Sequence, residues 1–371
     1  MNNLFLFALL SILGSYLLVA ILIPKISWIV KSRNLMDQPD HRSSHKNSTP
    51  SMAGVSFFLV LIFMLNVINP WDIDGIGINL IAATGLMFAI GLKDDLVLST
   101  PRAKIGGEIL AIFFVLFCDC LEVSSLEGLF GLTAIPSWLS HGIIVLMILT
   151  IVNSYNMIDG IDGLASIIGI AIFAIFGVIF YAAGLDFYVL LCLCLIGILL
   201  AYLRYNLSST KKIFMGDTGS LVIGFCMGFM SLKFLSMDVS LLSDYAFNGE
   251  NKFIVIGAIL FIPLFDTLRV IGVRLLNNKS PFHPDNNHIH HMLISSGLTH
   301  FKASLLLCFL NLGIAATLIL LSTIFSSYEM IGFMTLYFGF FLGVFYMLKV
   351  NIGNRIRYKH NYTFSSVKEN D

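Results

Sequence analysis

The chain has 371 residues, 57% hydrophobic and 12% charged, with 22 basic residues against 22 acidic ones and a mean hydropathy of +0.88. A soluble domain carries about twice that charged fraction, so composition excludes a water-soluble globule, a disordered chain and a nucleic-acid binder. What remains is an all-α integral membrane protein, because helices satisfy their own backbone groups in lipid.

Apolar stretches of roughly 17 to 22 residues predict about eleven transmembrane helices. They fall near 4–24, 51–68, 77–92, 105–120, 136–152, 164–183, 186–203, 213–232, 253–272, 304–324 and 328–349. The first runs into Lys25 with no small-residue cleavage site and reads as a retained helix. Placing the N-terminus outside and the C-terminus in the cytoplasm puts 20 of the 22 basic residues inside, leaving Lys233 and Lys252 outside, as the positive-inside rule asks. Residues 1–349 read as one polytopic catalytic domain and 350–371 as a basic cytoplasmic tail. The six cysteines (Cys118, Cys120, Cys192, Cys194, Cys226, Cys308) lie in or at the ends of apolar stretches and read as packing residues, without metal or redox spacing.

The outer connections, around Asp72, Glu122, Asp186, Asp238 and Glu329, are acidic or neutral and mostly short. The inner loops (25–50, 93–104, 153–163, 204–212, 273–303) hold the chemistry. Gly91 to Asp95 ends the third span in two adjacent carboxylates, which repel unless a cation or proton lies between them. Asn153 to Leu164 carries two Asn and two Asp spaced by three, on one side of a turn whose glycines admit a ligand to the backbone. Phe214 to Ser220 opens the eighth span; Asp217 reads there as a helix N-cap or as part of an anion site in which unpaired N–H groups meet phosphate. Asp266, Arg269 and Arg274 precede a long loop with four His in nine residues, His283 to His291, suited to binding a metal or phosphate or to proton exchange. Asp, His, Lys, Arg and Gly around one basin at the bilayer surface imply Mg²⁺ or Mn²⁺ with substrate phosphates and fit phosphoryl transfer.

Lys46 with Thr49 to Gly54, the Asp94–Asp95 pair, Asn153 to Leu164, Phe214 to Ser220 and the His288–Ile289–His290–His291 run occur in that order. Together they resemble the polyprenyl-phosphate N-acetylhexosamine-1-phosphate transferases, across residues 25–300. The Pro284 to His291 segment resembles the N-acetylglucosaminyl branch; the peptidoglycan branch ends in three consecutive His. The resemblance implies a UDP-N-acetylhexosamine donor, undecaprenyl phosphate as acceptor, UMP as product and a bacterial inner-membrane enzyme working at the cytoplasmic face, and leaves room for a homodimer. The glycan it starts would be O-antigen, common antigen, capsule or teichoic acid. It further implies Asp217 as metal ligand, Asp94 as the group that orients or deprotonates the lipid phosphate with Asp95 assisting, and Phe214 stacked on uracil. Asp162 would read the uracil edge, Asn156 and Asp159 would line the nucleotide site, Lys46, Lys104 and Arg274 would hold phosphates or donor, and His288, His290 and His291 would meet the pyrophosphate or sugar. One departure stands out: Leu98 occupies the place of a lysine in the peptidoglycan branch.

A secondary transporter, the rival class, would put its ionisable groups near mid-membrane, whereas these lie at inner helix ends and loops. A CDP-alcohol phosphotransferase would need Asp-Gly followed by Ala-Arg at fixed spacing; the stretch from Asp159 to Ser166 lacks that Arg.

Overall fold

The computed structural model describes residues 2–37, 48–97, 100–245, 247–281 and 287–368, the last seventeen by backbone alone. It is all-helical save for one two-residue antiparallel ladder. The elements in chain order are α1 (Asn2–Leu9), α2 (Ser15–Ser32), β1 (Met36–Asp37), β2 (Thr49–Pro50), α3 (Gly54–Ile68), α4 (Ile76–Leu96), α5 (Pro101–Leu116), α6 (Ser137–Ile158) and α7 (Leu164–Ala182). They continue with α8 (Asp186–Asn206), α9 (Gly216–Ser236), α10 (Lys252–Ile259), α11 (Phe261–Leu276), α12 (Ile289–Ser295), α13 (His300–Leu321) and α14 (Ser327–Lys368). One π-helical turn joins α1 to α2 into a single long element.

Nine helices among the described residues are long and apolar enough to cross a bilayer, or ten if the bent pair α10–α11 counts as one. Eleven were expected from hydropathy. The expected span at 105–120 is α5, whose sixteen residues cover about 24 Å, short of a hydrocarbon core of roughly 30 Å. The expected span at 253–272 is broken: α10 and α11 meet at a 74° bend. Asn311 of α13 makes that break tolerable inside the protein, its Nδ2 donating to Ile259 O (2.9 Å) and its Oδ1 accepting from Ile262 N (3.0 Å). Backbone groups freed at membrane depth need such partners.

The bundle is built around α9, which is buried on every side, while α14 is mostly bare apolar surface. Small residues bring the neighbours in. Gly224 faces Val152 and Gly228 faces Ile148 of α6, a four-residue spacing on both helices that lets them pack closely. At the other end of α9, a Cβ on Gly54 would overlap Gly219 N and one on Gly91 would overlap the Thr218 backbone. The N-termini of α3 and α9 and the C-terminal end of α4 therefore touch backbone to backbone, and Asp94 and Asp95 follow Gly91 by one turn.

The two lysines expected outside sit at the far end of this bundle with their charges answered. Lys233, about 24 Å along α9 from Asp217, lies 3.5 Å from Asp74 and 4.8 Å from the Tyr188 ring centroid. Lys252 donates to Met237 O (2.6 Å) and Leu235 O (3.1 Å), with Glu127 at 3.5 Å. Among the described residues all six cysteines are free, four of them buried.

Candidate active site

The end of α9 nearest Gly54 and Gly91 gathers most of the expected residues. Asp95 does not face its neighbour Asp94. Its Oδ1 accepts from Asp217 N (2.8 Å), and its Oδ2 accepts from Thr218 N (3.0 Å) and from the Thr218 hydroxyl. It caps α9 from another helix. The expected N-cap role of Asp217 thus belongs to Asp95, and the expected phosphate site on these N–H groups is filled by the protein's own carboxylate, as the helix dipole favours. Gly216, at φ +73°, has a conformation that L side chains rarely adopt, and a Cβ there would press on the Asp95 carboxylate.

Asp94 turns instead to Lys104, at the start of α5, whose ammonium bridges Asp94 Oδ2 (3.1 Å) and Asp217 Oδ2 (2.5 Å). Asn156, near the end of α6, donates to Asp217 Oδ1 (2.9 Å) and to Ser220 Oγ (2.7 Å). One turn deeper, Glu108 of α5 accepts from Asn153 Nδ2 (2.7 Å) and keeps its other oxygen unpaired and fully buried. The sequence marks Glu108 only as an acid one turn past Lys104.

Asp159 lies in the α6–α7 loop; its N–H donates to Asn156 O (3.3 Å), while its carboxylate makes no hydrogen bond or ion pair among the described residues. Burial pushes its carboxyl up to about 7, with the charges of Asp217, Asp162 and Asp95 adding to the rise. A carboxyl group crowded by acids and lacking a cation suits a divalent ion, which binds through one or two carboxylates plus substrate phosphates. No ready-made cage of three or more acidic, His or Cys side chains exists among the described residues. The donor set therefore fits Mg²⁺ shared with a phosphorylated substrate better than a structural ion.

Asp162, three residues on, accepts at Oδ2 from Lys212 Nζ (2.6 Å) and faces His300 Nδ1 (3.1 Å). Burial alone would raise its pKa, but the His300 and Lys212 contacts hold it below the usual carboxylate value. Lys212 also lies 5.3 Å from the centroid of Phe214. Asn206 ties the two loops together, accepting from Gly163 N (2.6 Å) and donating to Ile213 O (3.2 Å). Phe214 is fixed by its backbone: its N–H donates to Pro50 O (2.9 Å), and its carbonyl accepts from Ala53 N (3.1 Å). The Thr49 to Gly54 motif is thus the dock for the Phe214 segment.

The histidines form a third group. Asp266, almost fully buried, accepts from Arg269 Nη2 (2.9 Å) and Ile289 N (3.0 Å) and lies 2.8 Å from His288 Nδ1, so it starts α12 and aligns the His288 ring. Rings of His288, His290 and His291 pack with centroids 4.3 to 6.5 Å apart. His290 is buried against Gly160, where a Cβ would overlap its Nε2. Burial pushes His290 down to about 3, leaving the imidazole neutral. The resemblance places His290 at the pyrophosphate or sugar; its ring also joins the His loop to the loop of Asp159 and Asp162 through Gly160.

Arg274 is 5% exposed and its guanidinium donates to Pro281 O. Lys46 and Leu98 lie outside the described residues, as do 282–286. Lys212 and His300 join the site without having been singled out for it, and Asp266, read in the sequence only as flanking the His loop, is the residue that orients it. Only Lys212, two residues before Phe214, had a local signal.

The geometry defines a class: a multi-pass helical membrane protein with acids, lysines and imidazoles converging at one end, suited to phosphorylated substrates. The sequence profile of glycosyl transferase family 4 matches residues 77–235, which span Asp94 to Asp217. The undecaprenyl-phosphate alpha-N-acetylglucosaminyl 1-phosphate transferase of Haemophilus influenzae is 31% identical over 348 residues, covering 90% of this chain and 91% of its own. The probable undecaprenyl-phosphate N-acetylglucosaminyl 1-phosphate transferase of Bacillus subtilis is 29% identical over 301 residues, 80% and 79% of the two chains. The Salmonella typhi protein with the same name as the Haemophilus relative is 26% identical over 304 residues, 81% and 80%. The chain belongs to glycosyl transferase family 4, among these undecaprenyl-phosphate sugar-1-phosphate transferases, and is a phosphoglycosyltransferase.

Proposed function

We propose that the protein transfers N-acetylglucosamine 1-phosphate from UDP-GlcNAc to undecaprenyl phosphate, giving undecaprenyl-diphospho-GlcNAc and UMP, as the first step of a cell-surface polysaccharide. The observation that carries this reading is the Lys104 ammonium held between Asp94 and Asp217, one cation poised where two phosphorylated substrates would meet. The basin lies at the end of the bundle richest in basic residues, which supports a cytoplasmic face on a bacterial inner membrane.

In this reading an oxygen of the lipid phosphate attacks the β-phosphorus of the donor in line, a new P–O bond forms, and the bond to the UMP oxygen breaks. Such a transfer asks the protein for positioning and charge neutralisation. Lys104 spreads positive charge between acceptor and donor. Asp94 orients the acceptor phosphate, which requires a shift of its contact with Lys104, and Asn156 holds Asp217 in place. Asp217, with Asp159 beside it, would hold Mg²⁺ or Mn²⁺, which supplies Lewis-acid neutralisation of the diphosphate when bound. Phe214 offers a stacking face to the base, and His288 and His291 border the sugar side. His290 and Asp95 act by position: one docks the His loop, the other caps α9.

Purified protein incubated with undecaprenyl phosphate and a panel of UDP-sugars tests this. UMP release with UDP-GlcNAc alone supports it. Release only with UDP-MurNAc-pentapeptide assigns the chain to the peptidoglycan branch, and no release with any donor refutes the reaction.

A further inference from the structure

We propose that Glu108 is a positioning residue: with Asn153 it forms a rung between α5 and α6 that sets how Lys104 and Asn156 grip Asp217. The inference deepens the transfer reading above and rests on it.

Asp217 is held at its two oxygens from two helices. Lys104 of α5 reaches Oδ2 (2.5 Å) and Asn156 of α6 donates to Oδ1 (2.9 Å), so the aim of this carboxylate depends on the spacing and register of α5 against α6. Glu108 follows Lys104 by four residues and Asn153 precedes Asn156 by three, which puts each pair on one helix face. The hydrogen bond from Asn153 Nδ2 to Glu108 Oε2 (2.7 Å) therefore ties the same two faces together one turn deeper. The sense of the Asn153 amide is fixed, because its Nδ2 also donates to Leu149 O (2.9 Å) and a backbone carbonyl only accepts. Beside the rung, Gly107 brings α5 against Ile90 of α4, where a Cβ would overlap the Ile90 side chain, one turn before Asp94.

Stability alone does not explain an acid at this place. Glu108 is wholly buried, its Oε1 meets no hydrogen-bond partner among the described residues, and it feels the charges of Asp94 and Asp217 as well as that of Lys104. An unsatisfied buried oxygen is costly, and apolar side chains of similar volume often serve stability as well or better. What Glu108 supplies that a leucine cannot is an acceptor for Asn153, and with it a fixed approach of the helix that carries Lys104.

The test uses the full chain in detergent with two parallel readouts: transfer of GlcNAc 1-phosphate from UDP-GlcNAc to undecaprenyl phosphate, and reductive methylation of Lys104 followed by mass spectrometry. Glu108→Leu should lower kcat at saturating substrates by about tenfold to 100-fold, the scale of a small misplacement at a reacting centre. It should also speed methylation of Lys104 severalfold, as the ammonium loosens from Asp94 and Asp217. Glu108→Gln keeps an acceptor for Asn153 and should reverse most of both effects. In a Lys104→Met background Glu108→Leu should cost less than about twofold further, because the group it positions is gone; a purely structural role would cost as much in either background. Asn153→Ala removes the rung from the other helix and should reproduce both effects, which keeps the test open if Glu108→Leu fails to fold. Wild-type kcat in either variant overturns the proposal, as does unchanged Lys104 methylation or full multiplicativity with Lys104→Met. Methylation that responds as expected in a protein that transfers no sugar phosphate overturns the transfer reading alone.

Discussion

The ammonium of Lys104 lies 2.5 Å from a carboxylate oxygen of Asp217, and the same nitrogen reaches Asp94 at 3.1 Å. One cation therefore serves two acids that arrive on different helices. Lys104→Met leaves both without it. Turnover should fall by about 100-fold or more, the scale of removing one preorganised electrostatic partner from a reacting centre. UMP release at saturating donor and acceptor is the measurement, and a variant that works at the wild-type rate would remove Lys104 from the chemistry.

The adjacent acids Asp94 and Asp95 should separate cleanly by experiment. Asp95→Ala strips the cap from α9 and should cost stability by about 1 to 2 kcal/mol, visible as a lower melting temperature. Asp94→Ala removes the contact to Lys104, which keeps Asp217, and leaves the α9 cap in place; it should melt closer to the wild-type temperature than Asp95→Ala while turnover is lost. Equal melting of the two variants would contradict the capping role.

Gly160 and His290 form a contact with no room to spare. Gly160→Ala should displace the His loop from the loop of Asp159 and Asp162 and lower kcat/KM. His290→Ala opens the space, so the double variant should be less impaired than the product of the two single effects, the signature of residues in direct contact. Strict multiplicativity would show that the two loops are not coupled through this pair.

Asp159 makes stability depend on pH. Its carboxyl is raised from 3.8 to about 7 in the folded protein, so the folded state binds the proton more tightly than the unfolded chain. The stabilisation is complete below about pH 4 and is lost as pH climbs through about 7. Protein freed of divalent ions should melt at progressively lower temperature across that window, Asp159→Asn should flatten the dependence, and Mg²⁺ should restore stability at the alkaline end by taking the proton's place. Identical melting profiles for wild type and Asp159→Asn would refute this account.

Much of the site was legible because its residues stand out against an apolar background. Asp94, Asn156, Asp159 and Asp217 are polar where lipid-facing chain avoids polarity, and the structure brings them to one end of α9. Asp266 escaped notice as an orienting group because its role is set by His288, 22 residues away and on another helix. Lys212 and His300 meet Asp162 only after three connections fold over the basin. The division of labour between Asp94 and Asp95 was likewise hidden, since neighbouring carboxylates look alike until a helix end is placed against one of them.

Hydropathy determined that this chain enters a bilayer as helices, because lipid forces each backbone to satisfy its own hydrogen bonds, and clustered polar motifs determined which stretches carry chemistry. The number of full spans, the break between α10 and α11, and the partner of each charged group were decided in three dimensions. Those depend on backbones meeting at Gly54, Gly91 and Gly219 and on hydrogen bonds between residues far apart in the chain, contacts that no local pattern of amino acids encodes.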